Sequence, residues 1–126
     1  MSSLNVEAEL DVRATNVVVT HDALSVDLED GRTITVPLAW YPRLKHGTPK
    51  ERNNFQIEPY CIHWEDLDED ISIRGLLLGR KSQENPRIIK WWLDQRAKGR
   101  KTTVEDYFRE KKITRTTVAK RRKKAG

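Results

Sequence analysis

Between Val12 and Leu38 the sequence alternates apolar and polar residues with a period close to two, a pattern that suits strands and cannot be carried on one face of a helix. Leu24, Val26 and Leu28 alternate with Ser25, Asp27 and Glu29. Ile34 and Val36 alternate with Thr33, Thr35 and Pro37, and Val17 and Val19 with Val18 and Thr20. Three strands are predicted. His21-Asp22 supplies the first turn. Glu29-Asp30-Gly31-Arg32 supplies the second, and its Asp-Gly pair is a strong hairpin signal because glycine accepts a positive φ. The expected product is an antiparallel meander with one apolar face.

Pro37 and Pro42 bracket Leu38-Ala39-Trp40-Tyr41, which leaves the sheet. Thr48-Pro49-Lys50-Glu51 then places a hydroxyl at the N-cap, proline at the first helical position and glutamate where a capping box needs it. A short helix from Pro49 to about Phe55 is predicted. Tyr60 to Trp64 reads as a buried strand, Glu65 to Asp70 as an acidic turn, and Ile71 to Leu78 as a mixed apolar segment stopped by Gly79. Trp40, Tyr41, Trp64 and Leu76 to Leu78 are the expected core and rim. Residues 80–84 read as a linker.

Beyond it the composition changes. Asn85-Pro86 opens a helix whose apolar stripe is Ile88, Ile89, Trp92 and Leu93, and Gly99 closes it. Thr103 with Asp106 starts a second helix, striped by Val104, Tyr107 and Phe108. Thr114 is a candidate third cap. Residues 1–85 hold 9 Lys/Arg against 15 Asp/Glu, a net −6. Residues 86–126 hold 15 against 4, a net +11. Charge collected at one end points to a polyanion. The competing reading is that the basic end lies on its own acidic half. The predicted class is α+β, in two parts: an acidic β-meander with short helices over 1–80, and a basic segment of two or three helices over 81–126.

Several function classes lack their residues. The chain has one cysteine, Cys61, so no intrachain disulfide forms. No apolar run approaches the roughly 18 residues of a membrane span, and the polar, acidic N-terminus is unlike a signal peptide, so a cytoplasmic location is expected. No phosphate-cradling glycine loop, zinc-type cysteine spacing or serine-hydrolase turn is present. The acidic run Glu65, Asp66, Asp68, Glu69 and Asp70, near His63, invites a hard cation, but lacks the glycine such loops use for their sharp turn. Helix N-terminal charge and solvation explain the run more simply. Cys61 and His63 share a strand face. A Cys–His nucleophile is one reading, and a structural thiol beside a hydrogen-bonded histidine is the better one, since no orienting third group is apparent.

Residues 30–78 resemble a bacterial family known as domain of unknown function 2442. The resemblance rests on Asp30-Gly31-Arg32, on Val36-Pro37-Leu38-Ala39-Trp40-Tyr41-Pro42-Arg43-Leu44, and on Thr48-Pro49 with Glu51-Arg52-Asn53-Asn54. It continues through Ile62-His63-Trp64, Asp68-Glu69-Asp70-Ile71 and Gly75-Leu76-Leu77. It implies a small α+β fold and no particular reaction. It also implies the company of relatives with an added helical DNA-binding end or toxin–antitoxin-like partners. Glu58-Pro59-Tyr60-Cys61 departs from the family, whose members have a glycine-rich approach there.

The basic end is similar in outline to a helix-turn-helix, with Ile113 to Val118 as the turn and the start of a recognition helix. Lys112 and Phe108 depart from the glycine and the small residue usual at those positions. The plainer alternative is one amphipathic helix followed by a basic tail. In a groove, Arg115, Thr116, Lys120 and Arg121 would lie nearest the bases, while Arg100, Lys101, Lys123 and Lys124 would neutralise phosphates. Trp91, at the edge of its stripe, could stack on a base or close a small core. The expected function is a non-enzymatic adaptor or regulator, antitoxin-like in one form. DNA is the favoured ligand over RNA, no cofactor or metal is expected, and the first part serves dimerisation or protein contact. The alternative is an accessory subunit that docks on a larger nucleoprotein or nuclease complex.

Overall fold

The computed structural model describes residues 10–111, and the chain divides after Gln83 into two compact units. The first begins with the meander: β1 (Ala14–Val19), β2 (Ala23–Leu28) and β3 (Thr33–Pro37) pair antiparallel in that order. Leu24, Val26 and Leu28 turn into the core, as their alternation predicts. Ala14 and Val17 are both buried although three residues apart. A register shift between Ala14 and Asn16 makes this possible, because a bulge inverts the parity of a strand. The opposite face is polar and internally bonded: Ser25 and Thr35 hydroxyls lie 2.8 Å apart, and Thr33 donates to Asp27 at 2.7 Å. Gly31 takes φ 95° in the second turn. There the Arg32 guanidinium bonds the Asp30 carboxylate and holds its pKa below the usual range.

After Pro37 the chain forms a 3-10 helix (Leu38–Trp40), then α1 (Pro42–Lys45) and α2 (Pro49–Arg52). Helices this short satisfy almost none of their own carbonyls, so side chains must. Arg43, only 1% exposed, sends its guanidinium to the carbonyl of Leu67 at 3.3 Å. Arg52 bonds the carbonyls of Leu44 and Lys45 at 2.9 and 2.8 Å. The indole of Trp64 donates to the carbonyl of Arg52 at 2.9 Å. Gly47 lies so close to Leu67 that a β-carbon there would sit 2.9 Å from its side chain.

The capping box at Thr48 and Glu51 forms as read from the sequence. The helix it starts is shorter than expected, ending at Arg52 and not near Phe55. Asn53 closes it by donating to the carbonyl of Pro49, and the chain then extends as β4 (Gln56–Ile57) to pair with β5 (Cys61–Trp64). β5 alternates, with Ile62 and Trp64 fully buried and Cys61 and His63 half-buried. The acidic run is only in part a turn. Asp68 adopts φ 50°, and Glu69–Ser72 becomes β6, antiparallel to β5. The segment read as one apolar stretch thus splits: Ile71 belongs to β6, and α3 (Ile73–Leu77) follows, capped by the Ser72 hydroxyl and stopped at Gly79 with φ 70°. β1 runs beside β4, and α3 packs on β3 and β6. Tyr41 is buried, with its hydroxyl donating to the carbonyl of Arg80 and its pKa pushed up to about 12 by burial and the Glu69 charge.

The second unit contributes α4 (Pro86–Ala97) and α5 (Val104–Glu110). The fold is α+β: two three-stranded antiparallel sheets with several short helices. Among the described residues no helix is long and apolar enough to cross a membrane.

Arg43 separates packing from hydrogen bonding in a testable way. Arg43→Met keeps most of the buried stem but leaves the Leu67 carbonyl without its donor, which should cost about 1–3 kcal/mol in urea unfolding. Arg43→Ala adds a cavity and should cost more, about 3–5 kcal/mol. Equal and small losses would show that the guanidinium is not holding the hairpin.

Candidate functional site

In the second unit, Asn85 caps α4 by accepting from the Arg87 amide at 2.8 Å, with Pro86 at the first helical position. At the other end Gly99 takes φ 77°. Its amide donates to the Arg96 carbonyl, and that of Arg100 to the Gln95 carbonyl, each at 2.9 Å. Thr103 and Asp106 form the reciprocal cap of α5, and the Thr103 bonds, with Arg109 nearby, hold the Asp106 carboxyl below its usual pKa.

The buried face of α4 is not the stripe read from the sequence. It consists of Ile88, Trp91, Trp92 and Gln95, while Ile89 and Leu93 are half-exposed. Gln95 misled the pattern because it is polar yet buried. Its side-chain oxygen accepts from the Arg100 guanidinium at 3.3 Å. Trp91 lies on this face, at its margin. It is 9% exposed, meets Tyr107 edge-on at 5.4 Å and donates its indole N–H to Glu110 at 2.9 Å. A ring so enclosed closes a small core and is not free to stack on a base.

The described cations sort by what they already hold. Arg96 lies over the Trp92 ring, Arg109 pairs with Asp106 at 2.8 Å, and Lys111 lies over Tyr107. Arg100, expected at phosphate, is exposed but bonded to Gln95, and Lys101 is exposed on the same turn. Arg115, Thr116, Lys120, Arg121, Lys123 and Lys124, with the whole third helix of the expected helix-turn-helix, lie outside the described residues. Arg87, Lys90 and Lys98 did not stand out in the sequence. Arg87 and Lys90 are exposed on α4 and Lys98 at its C-cap, and no side chain among the described residues engages them. Their signal was their spacing of three and eight residues, which puts them beside the true buried face.

On β5 the half-buried residues Cys61 and His63 share one face, as predicted. Each bonds a different carboxylate. The thiol donates to Glu58 at 3.0 Å, and this bond, with burial and the charges of Glu58 and Asp70, pushes its pKa up to about 11. His63 Nδ1 lies 2.6 Å from Asp70 across the strand pair. Glu58 stands at the start of the turn Pro59-Tyr60, closed by the Glu58 amide on the Cys61 carbonyl at 2.9 Å. Among the described residues no three His, Cys, Asp or Glu side chains are placed to hold a metal ion.

Residues 14–82 match the family described as protein of unknown function (DUF2442). The chain belongs to this family. The DUF2442 match ends at residue 82, just before the second unit begins at Glu84. Two solved structures are similar. A protein of unknown function from Rhodospirillum rubrum is 28% identical, with a TM-score of 0.51 over 58% of this chain and 93% of its own. An uncharacterized protein from Chromobacterium violaceum, 20% identical, shares the fold with a TM-score of 0.52 over 73% of this chain and 84% of its own. No curated protein matches.

The Cys61 environment predicts a slow thiol. Alkylation by iodoacetamide should be sluggish at pH 8 and rise as pH approaches 11, because only the thiolate reacts. Glu58→Gln removes the acceptor charge that keeps the proton on sulfur, so the rate at pH 8 should increase several-fold. An unchanged rate would contradict the assigned cause.

Proposed function

We propose that this DUF2442 chain is a non-catalytic DNA-binding adaptor or regulator, with the basic second unit contacting the nucleic acid and the family module contacting protein. The observation that carries the reading is the segregation of charge: net −6 over residues 1–85 and net +11 over 86–126. A polyanion with a condensed counterion layer rewards such an arrangement, because each neutralised phosphate releases a counterion. Well-capped helices support it further, since they present cations on a fixed surface at little ordering cost.

A role for the first unit in dimerisation or partner binding draws support from Val18, Ile57, Tyr60 and Leu78, large apolar side chains left exposed on it. A dimer would match the two-fold symmetry of paired DNA half-sites. Antitoxin-like autoregulation is the regulatory form that this combination favours. Sedimentation that returns a monomer at micromolar concentration, with no partner retained from the native cell, contradicts this part of the proposal.

The full-length protein should bind a labelled duplex of about 20 base pairs at 50 mM salt and bind at least about 100-fold more weakly at 200 mM, the loss expected for about four or more phosphate contacts. A matched single-stranded RNA should compete poorly. No binding at 50 mM salt contradicts the proposed function.

A further inference from the structure

We infer that the solvent side of α4 and its C-cap, through Arg87, Lys90 and Lys98, is a sequence-independent docking surface for the phosphate backbone of a duplex. This deepens the function proposed above and rests on it. Arg96, Arg100, Arg109 and Lys111 each hold a side chain of their own unit, over Trp92, on Gln95, on Asp106 and over Tyr107. Such groups must give up a contact before they can take a new one. Arg87, Lys90 and Lys98 give up none among the described residues, so their charge is available at no cost in protein contacts.

Their placement is ordered as well. Positions 87, 90 and 94, with the C-cap position 98, follow one ridge at intervals of three and four residues, flanking the buried face of Ile88, Trp91, Trp92 and Gln95. From Arg87 to Lys98 the helix rises about 16 Å, close to five base-pair steps of about 3.4 Å. Asp94 is the fourth member of the ridge and the only acid on it. It lowers the ridge charge to +2 and weakens attraction to phosphate. Lysine and arginine on a rigid ridge make point-charge contacts to backbone oxygens, which set orientation and carry no sequence information. Base reading, if the chain performs it, is left to other residues.

The full-length chain tests this by anisotropy titration against two duplexes of about 20 base pairs with unrelated sequences, across a salt series. Lys90→Gln combined with Lys98→Gln should lower the slope of log K against log salt by about 1.8, equally for both duplexes. Asp94→Asn should tighten binding several-fold, a gain that misfolding cannot mimic. Arg109→Gln removes one positive charge from α5 and should leave the slope unchanged, which separates local contact from net charge. If the wild-type chain binds but the lysine pair behaves like Arg109→Gln, the α4 surface is overturned while the nucleic-acid function stands. If the wild-type chain binds neither duplex at low salt, the function itself fails and takes this inference with it.

Discussion

Helices of three to five residues cannot close their own hydrogen-bond ladder, and the first unit depends on how that deficit is met. Between Leu38 and Arg52 the chain turns through three such helices beside a sheet. Water cannot serve the carbonyls that face inward, so long side chains reach back to them. Arg43 takes the Leu67 carbonyl, Arg52 those of Leu44 and Lys45, and Trp64 that of Arg52 itself. These bonds tie the helical connection to the β5–β6 hairpin. Arg43 and Trp64 also bring apolar stems into the core, so the same side chains that satisfy polar groups fill space. The price is a buried guanidinium, which is tolerated only while its acceptors stay in place.

The second unit solves a smaller version of the same problem. Two helices offer too little apolar surface for a conventional core, and aromatic residues with polar handles make up the difference. Trp91 is edge-on to Tyr107 and bonded to Glu110, so packing and hydrogen bonding lock α4 against α5 together. That lock gives the exposed ridge of α4 its fixed form. Several cations are spent within the unit on rings, on Gln95 and on Asp106. Among the described residues Arg87, Lys90 and Lys98 are left over and lie along one ridge, and the proposed interface follows from that division of labour.

Much of the first unit was legible in the sequence because period-two alternation and local turn chemistry are self-contained signals. The meander, the Asp-Gly turn, the capping box at Thr48 and the stop at Gly79 depend only on neighbours in the chain. The errors came where distant partners decide. α2 ends early because Gln56 and Ile57 are claimed by β5, and Glu69 and Asp70 leave the acidic turn because β5 pairs with them. Arg43 gave no sign that it is buried, since a cation in an exposed-looking segment reads as surface. At the candidate site the misread was a single polar residue. Gln95 on the buried face shifted the apparent stripe of α4 and hid the ridge of Arg87, Lys90 and Lys98. Arg100 was read as a phosphate ligand from charge alone, and nothing in the sequence signalled that its guanidinium also bonds Gln95.

The central claim is that positive charge was gathered at one end of this chain to meet phosphate. The most direct test is an NMR titration of the isotope-labelled full-length protein with a short DNA duplex at low ionic strength. The account predicts amide shift changes concentrated on α4 and the turn after it, around Arg87, Lys90 and Lys98, with the β5–β6 hairpin unmoved. Shifts centred on residues 14–82, or a spectrum indifferent to the duplex, would contradict it.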